Sequence, residues 1–474
     1  MATTKLTFGE WLPDQPGVTG AVTDAKNCYP VANGYAPFPS EADYSDAAAQ
    51  ALLITFAGKI GSATTLFAAG ATQIYKFDSS DASLDAATTT GYATVESWDV
   101  TQYGSKMIVA NGQDKLQAFD LGSSTYFADL AAAAPTARFV TVVKDFVVAA
   151  NVGGEENKVY WSDINDETDW TPSAASQSDT QIIPDGGDIT GLAGGEYGLI
   201  FLERAIYRMT YAGSPFFFQF DAISRSLGCI SNGSIAQYGG LTYFLADDGF
   251  YVCDGQTIKG IGAERVNRWF FQNAVPGEIK NRMSSTVDPV RKLVIWRFSG
   301  TFNNKYFLIY SVDLDRWSYA TTTADSISFV LTPSATLEQV DNYNSNLDLL
   351  EIPLDSPVFA GGRLLFAGVS GSKIISFSGQ PKTANITTGD ISIGRSTVTL
   401  AKPIVDNGSA SVAISSRDLL SDVVEFYQET AADAENRISL RSNGEYHRLR
   451  LTPTGANWKT AVGMEVDVFK QGTR

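Results

Sequence analysis

Residues 241–253 read LTYFLADDGFYVC, two short apolar segments separated by a polar turn. The first segment begins at Leu241, the second centres on Phe250–Tyr251, and Asp248-Gly249 lies between them. Asp-Gly favours the left-handed backbone of a tight turn. Short runs of Leu, Tyr, Phe and Val favour β-strands. The stretch therefore predicts an antiparallel β-hairpin.

The same pattern recurs through residues 51–381. First strands begin at Leu66, Met107, Phe146, Leu199, Leu241, Leu293 and Leu364, and their partners centre on 74–75, 116–119, 159–161, 206–207, 250–251, 307–310 and 374–377. Hairpins that repeat every ~40–50 residues are typical of β-propeller blades, because one small sheet buries too little apolar surface alone. The sequence predicts an all-β fold with a six- or seven-bladed propeller. An irregular pair of β-sandwiches is the alternative.

The flanking regions differ from the repeats. The last interval is too long for one blade, so residues 321–355 are predicted to be an insertion or a degenerate blade. Residues 382–474 are predicted to form a separate, β-sandwich-like domain, because residues 384–400 alternate apolar and polar side chains. The same alternation places Arg448 and Arg450 on one face of a strand.

Residues 1–50 are predicted to form an extended N-terminal arm. Five prolines disfavour regular helix and central strand. Aromatic residues such as Trp11, Tyr35 and Phe38 need a surface on which to be buried, either on the same chain or on a neighbour. A short helix is predicted at residues 46–53, with Ser45 as its N-cap.

Charge is distributed unevenly along the chain. The net charge is −17, whereas residues 382–474 hold eleven basic and eleven acidic side chains. The preceding residues therefore carry the whole excess of carboxylates. This disfavours DNA binding, which depends on Lys and Arg. Plain solubility is the simpler interpretation of the same charge.

The three cysteines, Cys28, Cys229 and Cys253, are widely spaced. Their number and spacing predict neither a disulfide framework nor a CxxC metal pair, and buried free thiols in a reducing cytoplasm are expected. The sequence has no run of ~18 apolar residues, and its N-terminus lacks the apolar core of a signal peptide. We therefore expect no membrane span and synthesis in the cytoplasm.

The sequence shows no motif for catalysis. Walker A, GxSxG and HExxH patterns do not occur. The single histidine, His447, lies in a predicted strand, where a structural or interface role is expected. The acidic segment 163–169 lacks the glycine and the bidentate glutamate of an EF-hand, so a solvated loop is predicted. We expect no catalytic residue, no cofactor and no metal.

A propeller glycosidase or carbohydrate-binding module is the alternative function. Glycosidases need paired carboxylates beside a sugar, and sialidase-type repeats carry a Ser-x-Asp-x-Gly-x-x-Trp motif. The nearest match is SVDLDRW at 311–317, which lacks the glycine. The sequence therefore favours a non-enzymatic function.

Several stretches of the chain resemble one known family. They are FGEWLPDQP (8–16), AKNCYP (25–30), GYAPFPS (34–40), VYWS (159–162), GFYV (249–252), GANWK (455–459) and GMEVD (463–467). Together they resemble the tail-hub proteins of short-tailed bacteriophages, also called packaged-DNA stabilisation proteins. The resemblance extends over most of the chain, although residues 321–355 match no feature of the family.

The resemblance implies a structural virion protein. In this family a ring of subunits, generally six, lies below the portal and its adaptor. The ring acts as a nozzle that extends the DNA channel, and it helps to retain the packaged genome until ejection. Implied partners are further copies of the chain, the portal and adaptor (head-to-tail connector) proteins, tail fibre, spike or needle proteins, and duplex DNA that passes without tight binding. The implied location is the virion tail, assembled in the bacterial host.

The neutral C-terminal region is the predicted docking surface. Arg448 and Arg450 suit partner carboxylates, and Tyr446 and Trp458 are of the aromatic types enriched at interface hot spots. Trp11, Tyr35 and Phe38 complete the predicted interface. The alternative is that Trp458 belongs to the core and that both arginines are solvated.

Overall fold

The computed structural model describes residues 2–17, 20–333, 362–455 and 457–470. The N-terminal segment, predicted to be an extended arm, forms short strands that pair with later strands of the same chain. These are β1 (Ala2–Thr7), β2 (Asp24–Lys26), β3 (Cys28–Val31), β4 (Gly34–Pro37) and β5 (Ala42–Asp43).

The central region consists of antiparallel four-strand units, named here A to G in chain order. A contains β6 (Leu52–Ile60), β7 (Ala63–Gly70), β8 (Ile74–Phe77) and β9 (Leu84–Ala86). B contains β10 (Asp99–Tyr103), β11 (Lys106–Ala110), β12 (Gln117–Asp120) and β13 (Ala128–Asp129). C contains β14 (Ala137–Val143), β15 (Phe146–Val152), β16 (Glu155–Trp161) and β17 (Asp179–Ile182). D contains β18 (Ile189–Ala193), β19 (Gly198–Leu202), β20 (Ile206–Gly213) and β21 (Phe217–Ser224).

The later units follow the same order. E contains β22 (Ala236–Tyr238), β23 (Leu241–Leu245), β24 (Phe250–Cys253) and β25 (Ile258–Gly260). Helices α1 (Asn267–Asn273) and α2 (Pro276–Arg282) connect E to F. F contains β26 (Ser284–Asp288), β27 (Leu293–Ser299), β28 (Lys305–Ser311) and β29 (Arg316–Thr321). G contains β30 (Ser326–Leu331), β31 (Leu364–Ser370) and β32 (Lys373–Ser376), and β5 is its fourth strand. Short 3-10 helices lie at Asn232–Ser234 and Thr301–Asn303.

The units form a β-propeller. Six of them, A to E and G, are separate four-stranded sheets, whereas F continues into a larger sheet. Every predicted hairpin is present, and its two strands are the second and third of a unit. Buried apolar clusters lie between consecutive units, and a further cluster joins G back to A. Each sheet thus buries both faces against its neighbours, which a single hairpin cannot do.

The C-terminal strands extend unit F into a 14-stranded sheet. They are β33 (Asn385–Thr387), β34 (Ile391–Asp406), β35 (Ser409–Arg417), β36 (Thr430–Ala431), β37 (Ile438–Thr454) and β38 (Thr460–Lys470). Strand β2 lies between β29 and β33, so the N-terminal segment joins the propeller to the C-terminal strands. Strand pairing therefore crosses the predicted boundaries at residues 50 and 382.

One prediction about local structure is corrected, and another is narrowed to one of its two alternatives. Residues 46–51 are not helical. Their backbone is held by the β31–β32 hairpin, where Ala48 N donates to Ser372 O (2.8 Å), and this outweighs the helix propensity of alanine. Of the two alternatives for residues 321–355, an insertion or a degenerate blade, the structure favours a blade, because β30 of unit G lies within them; residues 334–355 lie outside the described residues. Within the described part of the chain, no helix is long and apolar enough to cross a membrane.

Candidate functional site

The aromatic residues predicted as N-terminal interface anchors are buried in the chain's own core. Trp11, Tyr35 and Phe38 are each at most 1% exposed. The ring of Trp11 packs against Trp269 and Tyr319, with ring centroids 5.0 and 5.1 Å apart. The expectation that these aromatics are exposed anchors is therefore wrong. The N-terminal segment therefore packs on its own chain, which is one of the two surfaces that the sequence left open for it.

The two C-terminal arginines share one strand face, as predicted, but Arg448 is used within the chain. Burial alternates along β37, and both arginines lie on its less buried side. Asp390, on the β33–β34 connection, accepts hydrogen bonds from Arg448 (2.7 Å) and from Arg417 (2.7 Å). The side chains of Asp390, Arg417 and Arg448 are only 3, 11 and 18% exposed. The cluster is thus an internal ion-pair network, and it leaves little of Arg448 for a partner.

The other predicted docking residues also contact their own chain. The guanidinium of Arg450 lies 4.0 Å from the ring centroid of Phe426, an arrangement that favours a cation–π interaction. Trp458 is 3% exposed and belongs to the largest apolar cluster, so the core alternative is confirmed for it. Tyr446 is partly buried. Neither arginine is fully solvated.

His447 occupies a structural position between two serines. It is 1% exposed; its Nε2 lies 3.0 Å from Ser396 Oγ and its Nδ1 lies 2.7 Å from Ser416 Oγ. Ser442 extends this chain by donating to Ser416 Oγ (2.6 Å). Burial lowers the pKa of His447, because a charged imidazolium is poorly solvated there.

We expect this histidine to make stability fall at acidic pH. Since its folded-state pKa is lowered, the unfolded chain binds the proton more readily, and stability is lost as pH falls below about 6.5. In His447→Gln, the loss between about pH 7 and pH 5 should be smaller. Thermal unfolding of both proteins across this range measures the effect. Equal pH dependence would contradict a neutral, buried His447.

The acidic segments singled out in the sequence are bonded locally. Within 163–169, Asp163 accepts the backbone N–H of Gln177 (2.7 Å), and Glu167 pairs with Lys106. In SVDLDRW, Asp313 pairs with Lys292 at 2.7 Å. Across the described ranges, no group of three or more His, Cys, Asp or Glu side chains is arranged to hold a metal ion.

A cavity of about 600 Å³, which the sequence analysis did not predict, lies on the propeller axis. Every unit contributes residues close to the start of its first strand. The lining includes 51–54, 95–99, 138–139, 188–190, 230–235, 280–285 and 325–327. These segments are separated by some 40–50 residues each, and their individual sequences share no motif. The lining residues share one feature, because in every unit they lie just before or within the first strand. That shared position is the signal from which they could have been predicted.

The cavity has charged walls. Asp99 accepts the backbone N–H of Val140 (2.9 Å), and burial raises its pKa to about 6. Across the cavity, Asn281 on α2 donates to Glu96 of the segment that leads into unit B (2.6 Å). Helix α2 therefore forms part of the cavity wall, where a hydrogen bond to a residue distant in sequence holds it in place.

No protein-family model and no curated protein sequence matches the chain. Two solved structures are similar in fold. The RRP9 WD40 repeats have a TM-score of 0.42 and 9% identity, over 72% of this chain and 98% of that one. BamB from Moraxella catarrhalis has a TM-score of 0.36 and 10% identity, over 79% of this chain and 97% of that one. Likenesses at this level concern the propeller fold alone.

Proposed function

We propose that the chain is a structural subunit of the tail hub of a short-tailed bacteriophage. It would form a ring below the portal and adaptor, extend the DNA channel and help to retain the packaged genome. The observation that carries the proposal is the stretch 8–40. It resembles the opening of the tail-hub proteins, and the same residues join the propeller to the C-terminal sheet through β2 and β4.

In this proposal, DNA passes through the lumen of the ring and not through a single propeller. The axial cavity, at about 600 Å³, is far too small for duplex DNA, and helix α2 forms part of its wall. The lumen would therefore lie between copies of the chain. An acidic surface there repels phosphates and lets the duplex slide.

We expect the isolated protein not to bind duplex DNA at physiological salt. A net charge of −17 offers little counterion release, so the affinity should be weaker than the ~10⁻⁴–10⁻⁶ M of ordinary non-specific binding. A gel-shift titration with protein at micromolar concentrations measures this. A salt-sensitive shift in that range would contradict the proposed sliding surface.

Genome retention tests the proposed function directly. Particles assembled without the chain should package DNA and then lose it, so their DNA should become accessible to nuclease. Adding purified protein before nuclease treatment should restore protection. Particles that keep a fully protected genome without the chain would overturn the proposal.

Carbohydrate binding or hydrolysis remains the second candidate, because carboxylates line the axial cavity. Among these carboxylates, Asp99 is the candidate general acid. Its pKa is raised to about 6, so the carboxyl is protonated more readily than usual. Incubation with host polysaccharide tests this function. Hydrolysis by the parent that is lost in Asp99→Asn would favour it over the structural function.

A further inference from the structure

A polar groove at the surface leads into the axial cavity. It has a volume of about 420 Å³ and lies between units B and C. Its walls are the β11–β12 turn, at residues 111–113, and the β15–β16 turn, which contains Gly153 and Gly154. Residues 95–97 and Arg138 line both the groove and the cavity. The two spaces therefore adjoin, and we call the first of them the B–C groove.

Most polar side chains of the B–C groove are not used within the chain. Four uncharged ones form no hydrogen bond to any other group of the described residues: Thr94, Ser97, Gln113 and Asn151. Arg138 and Glu156 form no ion pair with the described residues either. Asn111 and Glu96 are the exceptions, each held by a hydrogen bond within the chain. The groove therefore offers donors and acceptors that a bound molecule can use.

The β15–β16 turn leaves space beside the groove. A Cβ at either Gly153 or Gly154 would meet no atom within 4 Å. On the other wall, a Cβ at Gly112 would lie 3.5 Å from the Cβ of Arg138, so the β11–β12 turn packs against the stem of this arginine. A ligand can therefore pass the glycine turn and reach Arg138 at the junction of groove and cavity.

Charges of both signs line the groove and the cavity. Five carboxylates and three basic side chains are present: Glu96, Asp99, Glu156, Asp188 and Asp325, with Arg138, Lys280 and Arg282. Asp325 is already paired with Lys305, which lies outside the lining (2.6 Å). Four carboxylates therefore face three basic groups, and neither sign dominates. Polyanions and polycations both lack a surface of opposite charge here, which favours a neutral ligand.

Sugar hydroxyl groups match this set of side chains. A hydroxyl both donates and accepts hydrogen bonds, whereas a guanidinium only donates, a carboxylate only accepts and an amide does both. Arg138, Glu156 and Asn151 bring these three kinds of group together in the B–C groove. Ligand pockets usually hold about 300–1,000 Å³, and here the groove extends a cavity of about 600 Å³. The combined space suits a chain of several sugar units.

We propose that the B–C groove and the axial cavity form one binding site for a neutral oligosaccharide. The sugars lie along the groove beside Arg138, and the chain of sugars ends in the cavity beside Asp99. The inference rests on the second candidate function for its ligand class, and it adds the charge, the length and the path of that ligand. Binding in the groove does not require hydrolysis, so the two can be tested separately.

A glycan array tests the ligand class on the purified full chain. It carries neutral, uronic-acid and amino-sugar oligosaccharides, each as single sugars and as longer chains. We expect binding to the longer neutral chains and little binding to single sugars, because a single sugar fills only part of the groove. Absence of binding in every class, or a preference for the acidic or the basic chains, would overturn the proposal.

Calorimetry with the neutral oligosaccharide that binds best tests the residues. Arg138→Met keeps the apolar stem and removes the guanidinium, so the affinity should fall about tenfold or more. Gln113→Ala removes an uncharged partner and should weaken binding less. Arg204→Met, at an exposed arginine of unit D that lines neither space, should bind as the parent does. Unchanged unfolding temperatures establish that the variants fold, and equal affinity of the parent and Arg138→Met would overturn the proposal.

Hydrolysis separates failure of this inference from failure of the second candidate function. Binding that depends on Arg138 without any hydrolysis would refute a glycosidase and leave the binding site intact. Hydrolysis that is lost in Asp99→Asn, with both hydrolysis and binding unchanged in Arg138→Met, would refute the groove alone. Neither result depends on whether the chain joins a phage tail.

Discussion

Asp390→Ala is expected to lower the free energy of unfolding by about 3–5 kcal/mol, the usual cost of removing one partner from a buried ion pair. Asp390 is the carboxylate shared by Arg417 and Arg448, and all three side chains are largely buried. Its loss leaves two guanidinium groups close together without their counter-ion. Urea unfolding followed by tryptophan fluorescence measures the change.

A surface ion pair provides the control for this prediction. Asp418 pairs with Arg395 at 3.5 Å, and both side chains are more than half exposed, so Asp418→Ala should cost less than about 1 kcal/mol. Similar losses for the two aspartate variants would contradict a buried network.

Reversing both Arg448 and Arg450 to glutamate would not test docking alone, because Arg448→Glu places a second carboxylate against Asp390. We expect that double variant to misfold instead of remaining soluble with only its docking lost.

Deletion of residues 2–40 is expected to abolish folding. An arm that only lies on the surface could be removed and leave the propeller folded. The structure shows that the segment supplies β2, which lies between β29 and β33, and that its Trp11 is fully buried. Loss of Trp11 alone, in Trp11→Ala, should cost about 3–5 kcal/mol. Soluble yield and far-ultraviolet circular dichroism measure the deletion, and urea unfolding measures the point variant.

An exposed aromatic residue is the matched control for Trp11→Ala. Phe302, at 95% exposure, contributes little buried area, so Phe302→Ala should change stability by no more than about 0.5 kcal/mol. A soluble, β-rich product from the deletion would show that the N-terminal segment is dispensable to the fold. Such a result would restore the interpretation of that segment as an arm.

The propeller was predictable because its pattern is local and repeated. In unit E, Leu241 begins one strand, Phe250 begins the next, and Gly249 adopts a positive φ of 150° at the turn between them. Each predicted hairpin brings its two apolar segments together within about 18 residues of sequence. The first and fourth strands of each unit carry weaker signals, since strands such as β9 and β13 are only two or three residues long.

The candidate site was harder to predict because its contacts are long-range. The alternation of apolar and polar residues placed Arg448 and Arg450 on one face of a strand. Nothing near them in the sequence indicated that Arg448 forms an ion pair with Asp390, 58 residues away. An aromatic residue among prolines, such as Trp11, can be predicted to be buried. The surface that buries it cannot be predicted from the local sequence. The run of alanines near residue 48 favours a helix locally, and only the hydrogen bonds from unit G hold it extended.

Electron cryomicroscopy of the chain mixed with the portal and adaptor of a short-tailed phage tests the proposed tail-hub function most directly. The tail-hub assignment predicts a ring of copies below the adaptor, with the propellers around a common lumen and density for DNA on the ring axis. It also predicts that no propeller axis carries DNA. A chain that stays unbound, or that decorates the connector as isolated monomers away from the channel, would contradict the account.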